Sequence, residues 1–132
     1  MQQFISRIAL VVRDYDEAIN WYTQKLNFRL IEDTVRSPSK RWVLIAPPGD
    51  SSTYLLLAKA KNEEQLLAVG NQTGGRVFLF LYTDDFDRDY QMLLDNEVEI
   101  VRPKSEEDFG KVCVFQDLYG NLWDFIQPKK SS

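Results

Sequence analysis

The middle of this 132-residue chain is written twice. Ile8-Ala9-Leu10-Val11-Val12 runs through Arg13-Asp14 into Tyr15-Asp16-Glu17-Ala18-Ile19-Asn20-Trp21-Tyr22, and on to Leu26-Asn27-Phe28. Leu79-Phe80-Leu81-Tyr82 runs through Thr83-Asp84-Asp85 into Phe86-Asp87-Arg88-Asp89-Tyr90-Gln91-Met92-Leu93-Leu94, and on to Glu97-Val98. Each copy has the pattern of an apolar strand, an Asp helix cap, an amphipathic helix and a return to a strand. The helices match at an offset of 71 (Asp85 minus Asp14) and the strands after them at 70 (Val98 minus Phe28). The one-residue change falls at the helix–strand turn, where an insertion costs little. Agreement of caps, helix faces and following strands points to duplication, and so to a fold of two like modules.

The first copy predicts a strand over 4–12, in which Arg7 is the one charged interior side chain. Asp14 followed by Glu17 has capping-box spacing, and Tyr15, Ile19, Tyr22 and Leu26 then give one buried helical face. Asn27 suits the left-handed residue that ends a helix. Strands over 28–35, 41–46 and 53–58 follow, separated by Ser37-Pro38-Ser39 and Pro47-Pro48-Gly49-Asp50. A short helix is expected over 62–68, and Asn71-Gln72-Thr73-Gly74-Gly75 marks the boundary between the halves.

The second copy predicts a strand over 76–82 and a helix capped by Asp84 or Asp85, with Phe86, Tyr90, Leu93 and Leu94 on its apolar face. Strands over 98–103, 111–116 and 122–127 complete it, the last two joined by a hairpin turn in which Gly120 takes positive φ. Glu106-Glu107-Asp108 falls in a loop and is read as a solvated cluster rather than an acid–base pair. The fold class is therefore α+β: two tandem βαβββ modules forming one domain over 1–132. Module one spans about 4–60, a linker about 61–75 and module two about 76–127.

The chain contains no histidine, which excludes Ser-His and Cys-His nucleophiles. A net charge of −4 with scattered Lys and Arg argues against a nucleic-acid partner and is compatible with a cationic ligand. At this length about 68% of the unfolded surface can be buried. The single Cys113 cannot form an internal disulfide, and in Val112-Cys113-Val114-Phe115 it is expected to be a buried strand thiol. Neither a signal-peptide pattern nor a membrane-spanning apolar run occurs in the sequence, so no membrane partner and a cytoplasmic location are expected.

A strand opening into Val-x-Asp-x-x-x-Ala-x-x-Trp-Tyr, here Val12, Asp14, Ala18, Trp21 and Tyr22, followed by Leu26-Asn27-Phe28, resembles the vicinal-oxygen-chelate superfamily. That superfamily holds glyoxalase I, bleomycin-resistance proteins, fosfomycin-resistance transferases and extradiol dioxygenases. The second half adds Phe109-Gly110, Phe115-Gln116-Asp117-Leu118-Tyr119-Gly120-Asn121 and the closing strand Leu122-Trp123-Asp124-Phe125-Ile126-Gln127, so the resemblance covers nearly the whole chain. It implies that each module curls its sheet into a trough and that two modules close a cup. It also implies homodimers, sometimes with modules exchanged between chains.

Metal-dependent members carry four ligands facing the cup. The resemblance places them here at Arg7, at Phe78 (or Val77 one residue away), at Asp124 and, subtracting 70, at Tyr54. Only Asp124 is a good divalent-metal ligand, and a metal centre needs about three donors of imidazole, carboxylate or thiolate type. The expectation is no metal, no cofactor and no catalytic residue. Arg7 and Asp124 are instead expected to pair in the metal's place as a polar anchor. The plainer alternatives are that they neutralise a relic cavity, or that Arg7 snorkels to the rim. Trp42 and Tyr54 are candidate walls for a planar ligand, against the alternative that they are core. The implied function is a bleomycin-resistance-like protein binding a small, cationic molecule in the cup. The alternatives are a metal-dependent lyase, isomerase or dioxygenase of the glyoxalase type, and a structural dimer with a self-filled cup.

Overall fold

The computed structural model describes residues 1–49 and 52–130, so Asp50 of the expected Pro47–Asp50 turn lies outside the described residues. The chain divides into two compact units, 1–69 and 70–132. In the first, β1 (Arg7–Val12) leads to α1 (Tyr15–Leu26), then β2 (Arg29–Ser37), β3 (Lys40–Ala46), β4 (Tyr54–Lys59) and α2 (Glu63–Ala68). In the second, β5 (Val77–Tyr82) leads to α3 (Phe86–Asp95), then β6 (Ile100–Glu107), β7 (Gly110–Gln116) and β8 (Leu122–Pro128). The sheet orders are β1-β4-β3-β2 and β5-β8-β7-β6, the same topology twice. The first strand of each pairs parallel with the last, and the remaining pairs are antiparallel. The fold is α+β, two βαβββ modules, as the repeat predicts.

The caps act as the sequence indicates. Asp14 accepts from the Glu17 N–H at 2.8 Å, Asp85 accepts from the Arg88 N–H at 3.2 Å, and Asn27 ends α1 at φ 58°. In α1 the buried side is Tyr15, Ala18, Tyr22 and Leu26, with Ile19 only half-buried. The small Ala18 lets the helix approach the sheet, and this moves the buried stripe one position from the larger residue. Arg41 fixes which face of the first sheet meets α1. Its guanidinium forks onto Asp33 (3.1 and 2.6 Å), reaches Asp16 of the helix (3.0 Å) and lies 5.1 Å over the Tyr15 ring. Strand alternation then puts Val43, Ile45, Leu55 and Leu57 on the helix side, and all four are buried.

In the second unit Phe86 of α3 packs 5.6 Å from Phe125, and Phe115 stacks on Trp123 at 5.9 Å. Cys113, paired with Phe125 across β7/β8, belongs to this core and is 2% exposed.

Several boundaries differ from the sequence reading. The first strand starts at Arg7 rather than at position 4. β4 supplies its first strand partner at Tyr54, while Ile5 and Ser6 give only carbonyls, to Thr53 Oγ1 and the Tyr54 N–H. Strand β6 runs to Glu107, so Glu106 and Glu107 lie on an exposed hairpin strand and not in a loop. The 61–75 segment divides between the units. Residues up to Val69 go with the first, while the Gln72 N–H donates to Asn121 Oδ1 within the second. Gly70 belongs there too: at φ +77°, an added Cβ would stand 1.8 Å from the Tyr119 carbonyl oxygen. Among the described residues no helix is long and apolar enough to cross a membrane.

Candidate functional site

Because partners across a sheet share a face, the registers arrange the site residues in rows. In the first sheet Arg7 pairs with Tyr54, and the next row on that face is Ala9, Leu56, Leu44 and Glu32. Trp42 lies on the same face as Leu44, one pleat away, paired with Thr34. In the second sheet the corresponding row is Phe80, Asp124, Val114 and Arg102. All these residues lie on the side away from the helices.

These rows change the correspondence between the two copies. Strands β3 and β7 match at 70 (Val114 minus Leu44), but β4 and β8 match at 68, because Asp124 stands against Val114 as Leu56 stands against Leu44. The connection before β4 (residues 47–53) is two residues longer than that before β8 (residues 117–121). The counterpart of Asp124 is therefore Leu56, not Tyr54. A shift of two preserves the face, so Tyr54 still points to the side the sequence assigns it. Val77 pairs with Leu122 and Leu79 with Trp123, which leaves Phe78 as the extra residue of a β-bulge. Val77, not Phe78, thus matches Arg7. The Phe78 ring instead meets Trp123 edge-on at 6.2 Å, which sets it against the helix-side aromatic cluster.

The Arg7 guanidinium lies 4.8 Å over the Tyr54 ring and donates to the Ser6 carbonyl at 2.9 Å. The Arg36 guanidinium lies 5.9 Å over Trp42. Both expected aromatic walls are thus half-buried rings faced by an arginine, not core residues. Both of these neighbours of Arg7, Tyr54 and Ser6, come from its own unit. The Asp124 side chain takes part in no ion pair or hydrogen bond among the described residues, while its backbone is paired in the sheet. Its carboxyl is pushed above the ordinary carboxylate range by desolvation, which the positive charge of Arg102 partly offsets. Burial, helped by the Asp124 charge, pushes the Cys113 thiol up to about 12, so this cysteine is not a nucleophile.

The positions that the resemblance matches to the family's metal ligands, in the observed register, are Arg7, Leu56, Val77 and Asp124, one donor among four. Among the described residues no group of three or more His, Cys, Asp or Glu side chains could hold a metal ion. The donor set does not fit the centre that the fold class implies. Sequence reasoning missed Phe80, Tyr82, Arg36 and Arg102 on these faces. Their alternation was legible, but which residue stands beside which depends on turn length and on a bulge.

Comparison with known proteins agrees with this architecture. The family model described as Glyoxalase/Bleomycin resistance protein/Dioxygenase superfamily matches residues 4–125. An uncharacterized protein of Shewanella frigidimarina (strain NCIMB 400) is 57% identical over 128 residues, 96% of this chain and 95% of that one. The crystal structure of UcmS2 superposes with a TM-score of 0.83 at 23% identity, covering 96% of this chain and 98% of that chain. TnmS3, an antibiotic binding protein from Streptomyces sp. CB03234, superposes with a TM-score of 0.76 at 25% identity, covering 97% and 98%. Built of two βαβββ modules and matched by the family model over nearly its whole length, this chain belongs to the Glyoxalase/Bleomycin resistance protein/Dioxygenase superfamily.

Proposed function

We propose that this protein binds a small organic molecule without transforming it. The contacts are Arg7, Trp42, Tyr54 and Asp124 on the sheet faces turned away from the helices, with Phe78 as a buttress beneath. The observation that carries the reading is chemical. Where a metal centre needs several donors, these faces offer rings capped by guanidinium groups, and of the four matched positions only Asp124 is a carboxylate. Such residues recognise flat, polar ligands by stacking and charge and supply no Lewis acid. The likeness to an antibiotic binding protein supports the same reading. The net charge of −4 favours a cationic ligand. The protein works as a homodimer, in which a second copy covers apolar surface such as Phe4 and Ile5, 70% and 69% exposed.

The test is a tryptophan-fluorescence titration with bleomycin and a panel of other aromatic antibiotics, alongside light scattering for the mass. We expect saturable quenching by at least one compound and a scattering mass of twice 15.4 kDa. Trp42→Phe should remove most of the quenching, and Tyr54→Ala should weaken binding about tenfold, or 1.4 kcal/mol. Absence of quenching across the panel, with turnover appearing on addition of divalent ions, would replace this reading with the metal-dependent enzyme.

A further inference from the structure

The two copies of the fold provide an internal comparison at the Asp124 position. Its counterpart in the first unit is Leu56, and the residue opposite Leu56 across the parallel pair is Ala9. In the second unit the residue opposite Asp124 is Phe80, 72% exposed, and two positions on along β5 stands Tyr82, 65% exposed. At the two positions that match Asp124 and Phe80 the same fold thus places Leu56 and Ala9, so packing requires neither a carboxylate nor an exposed ring at those two places. The other neighbours of Asp124 on this face are apolar: Val114 across β7/β8, and Leu122 and Ile126 two positions away along β8. Arg102 closes the row two strands away and forms no ion pair among the described residues. A carboxylate side chain without a hydrogen bond among the described residues, beside the exposed rings of Phe80 and Tyr82, combines the two groups that recognise an organic cation.

We propose that Asp124, Phe80 and Tyr82 form a subsite for the ammonium or guanidinium group of an aromatic ligand, the carboxylate pairing with the charge and the rings lying against its flanks. This rests on the binding reading above and names the chemical group that the second sheet takes.

The test is a ¹⁵N–¹H NMR titration of the full chain with 2-phenylethylammonium and with 2-phenylethanol, which share ring and linker and differ in charge. The ammonium probe is expected to shift the Phe80, Val114 and Asp124 amides saturably, at least about tenfold more tightly than the alcohol. Asp124→Asn, the same size without the charge, is expected to weaken the ammonium about tenfold, Asp124→Glu to restore it, and Phe80→Ala to weaken it about threefold. Equal binding of the alcohol, or unchanged ammonium binding by Asp124→Asn with its spectrum otherwise native, would overturn the subsite. If the ammonium leaves these amides unmoved while an antibiotic still quenches Trp42, the subsite falls and the binding reading stands. If neither occurs, both fall.

Discussion

Asp124 is held in the fold against its electrostatic interest, and the cost has a definite sign. Desolvation raises its pKa above the ordinary carboxylate value of 3.8. A carboxyl whose folded pKa is raised favours the native state most when protonated. That favourable contribution is complete below the unfolded pKa and is lost as pH rises through the folded value. At pH 7 the ionised group therefore works against folding, and Asp124→Asn is expected to be as stable as the native chain or more so. Because the side chain is only part-buried, the gain should be about 0.5 kcal/mol. It should vanish on acidification below about pH 3.8, the ordinary carboxylate value. Urea unfolding of the two proteins at both pH values measures it; a variant less stable at pH 7 would mean that Asp124 has a structural partner. That this residue was worth attention follows from the family resemblance, which matches a ligand position to the closing strand after Gly120-Asn121. That Phe80 is its neighbour was not legible in the sequence, because the pairing depends on where the β5 bulge falls.

At the scale of elements, the caps and strand periodicities were enough to write down both modules. The interactions that join elements were less visible. Arg41 lies eight residues from Asp33 and 25 from Asp16, and only the β2–β3 pairing and the docking of α1 bring the three together. Side-chain exposure of 23% for Arg41 and 28% for Asp33 leaves the pair partly shielded, with two forked hydrogen bonds. Hydrogen bonding to Arg41 holds the Asp33 carboxyl below its ordinary value. A depressed carboxyl contributes stability that is present above the unfolded pKa and lost as pH falls through the folded one. Arg41→Ala should then cost about 1–2 kcal/mol at pH 7. The gap to the native chain should narrow as the pH drops below about 3.8. Denaturant midpoints across that range test it, and a gap independent of pH would assign the loss to the packing of Arg41 over Tyr15 instead. The β4 register was hidden for a related reason: two extra residues before that strand leave its alternation intact while moving every partner.

For the whole molecule, the duplicated fold and the superseded metal positions lead to one decisive comparison. A native-state ligand at about a hundred times its dissociation constant adds roughly 2.7 kcal/mol of stability, a shift of several degrees for a domain of this size. A divalent ion bound by Asp124 with protein co-ligands would give such a shift. Yet the other three matched positions hold Arg7, Leu56 and Val77, none of them a metal donor, and Arg7 is already engaged with Tyr54 and Ser6. Thermal unfolding with Ni, Zn, Mn or Mg ions should therefore move the midpoint by less than about 1 °C, because one carboxylate binds these ions weakly. The same series with a tightly bound antibiotic should give the full shift of several degrees, reduced in Trp42→Phe and Tyr54→Ala. An EDTA-reversible metal shift abolished by Asp124→Ala would identify a ligand set outside the four matched positions. It would return the chain to the enzymes of its superfamily, because an ion held that firmly brings Lewis acidity that stacking rings and a lone carboxylate do not provide.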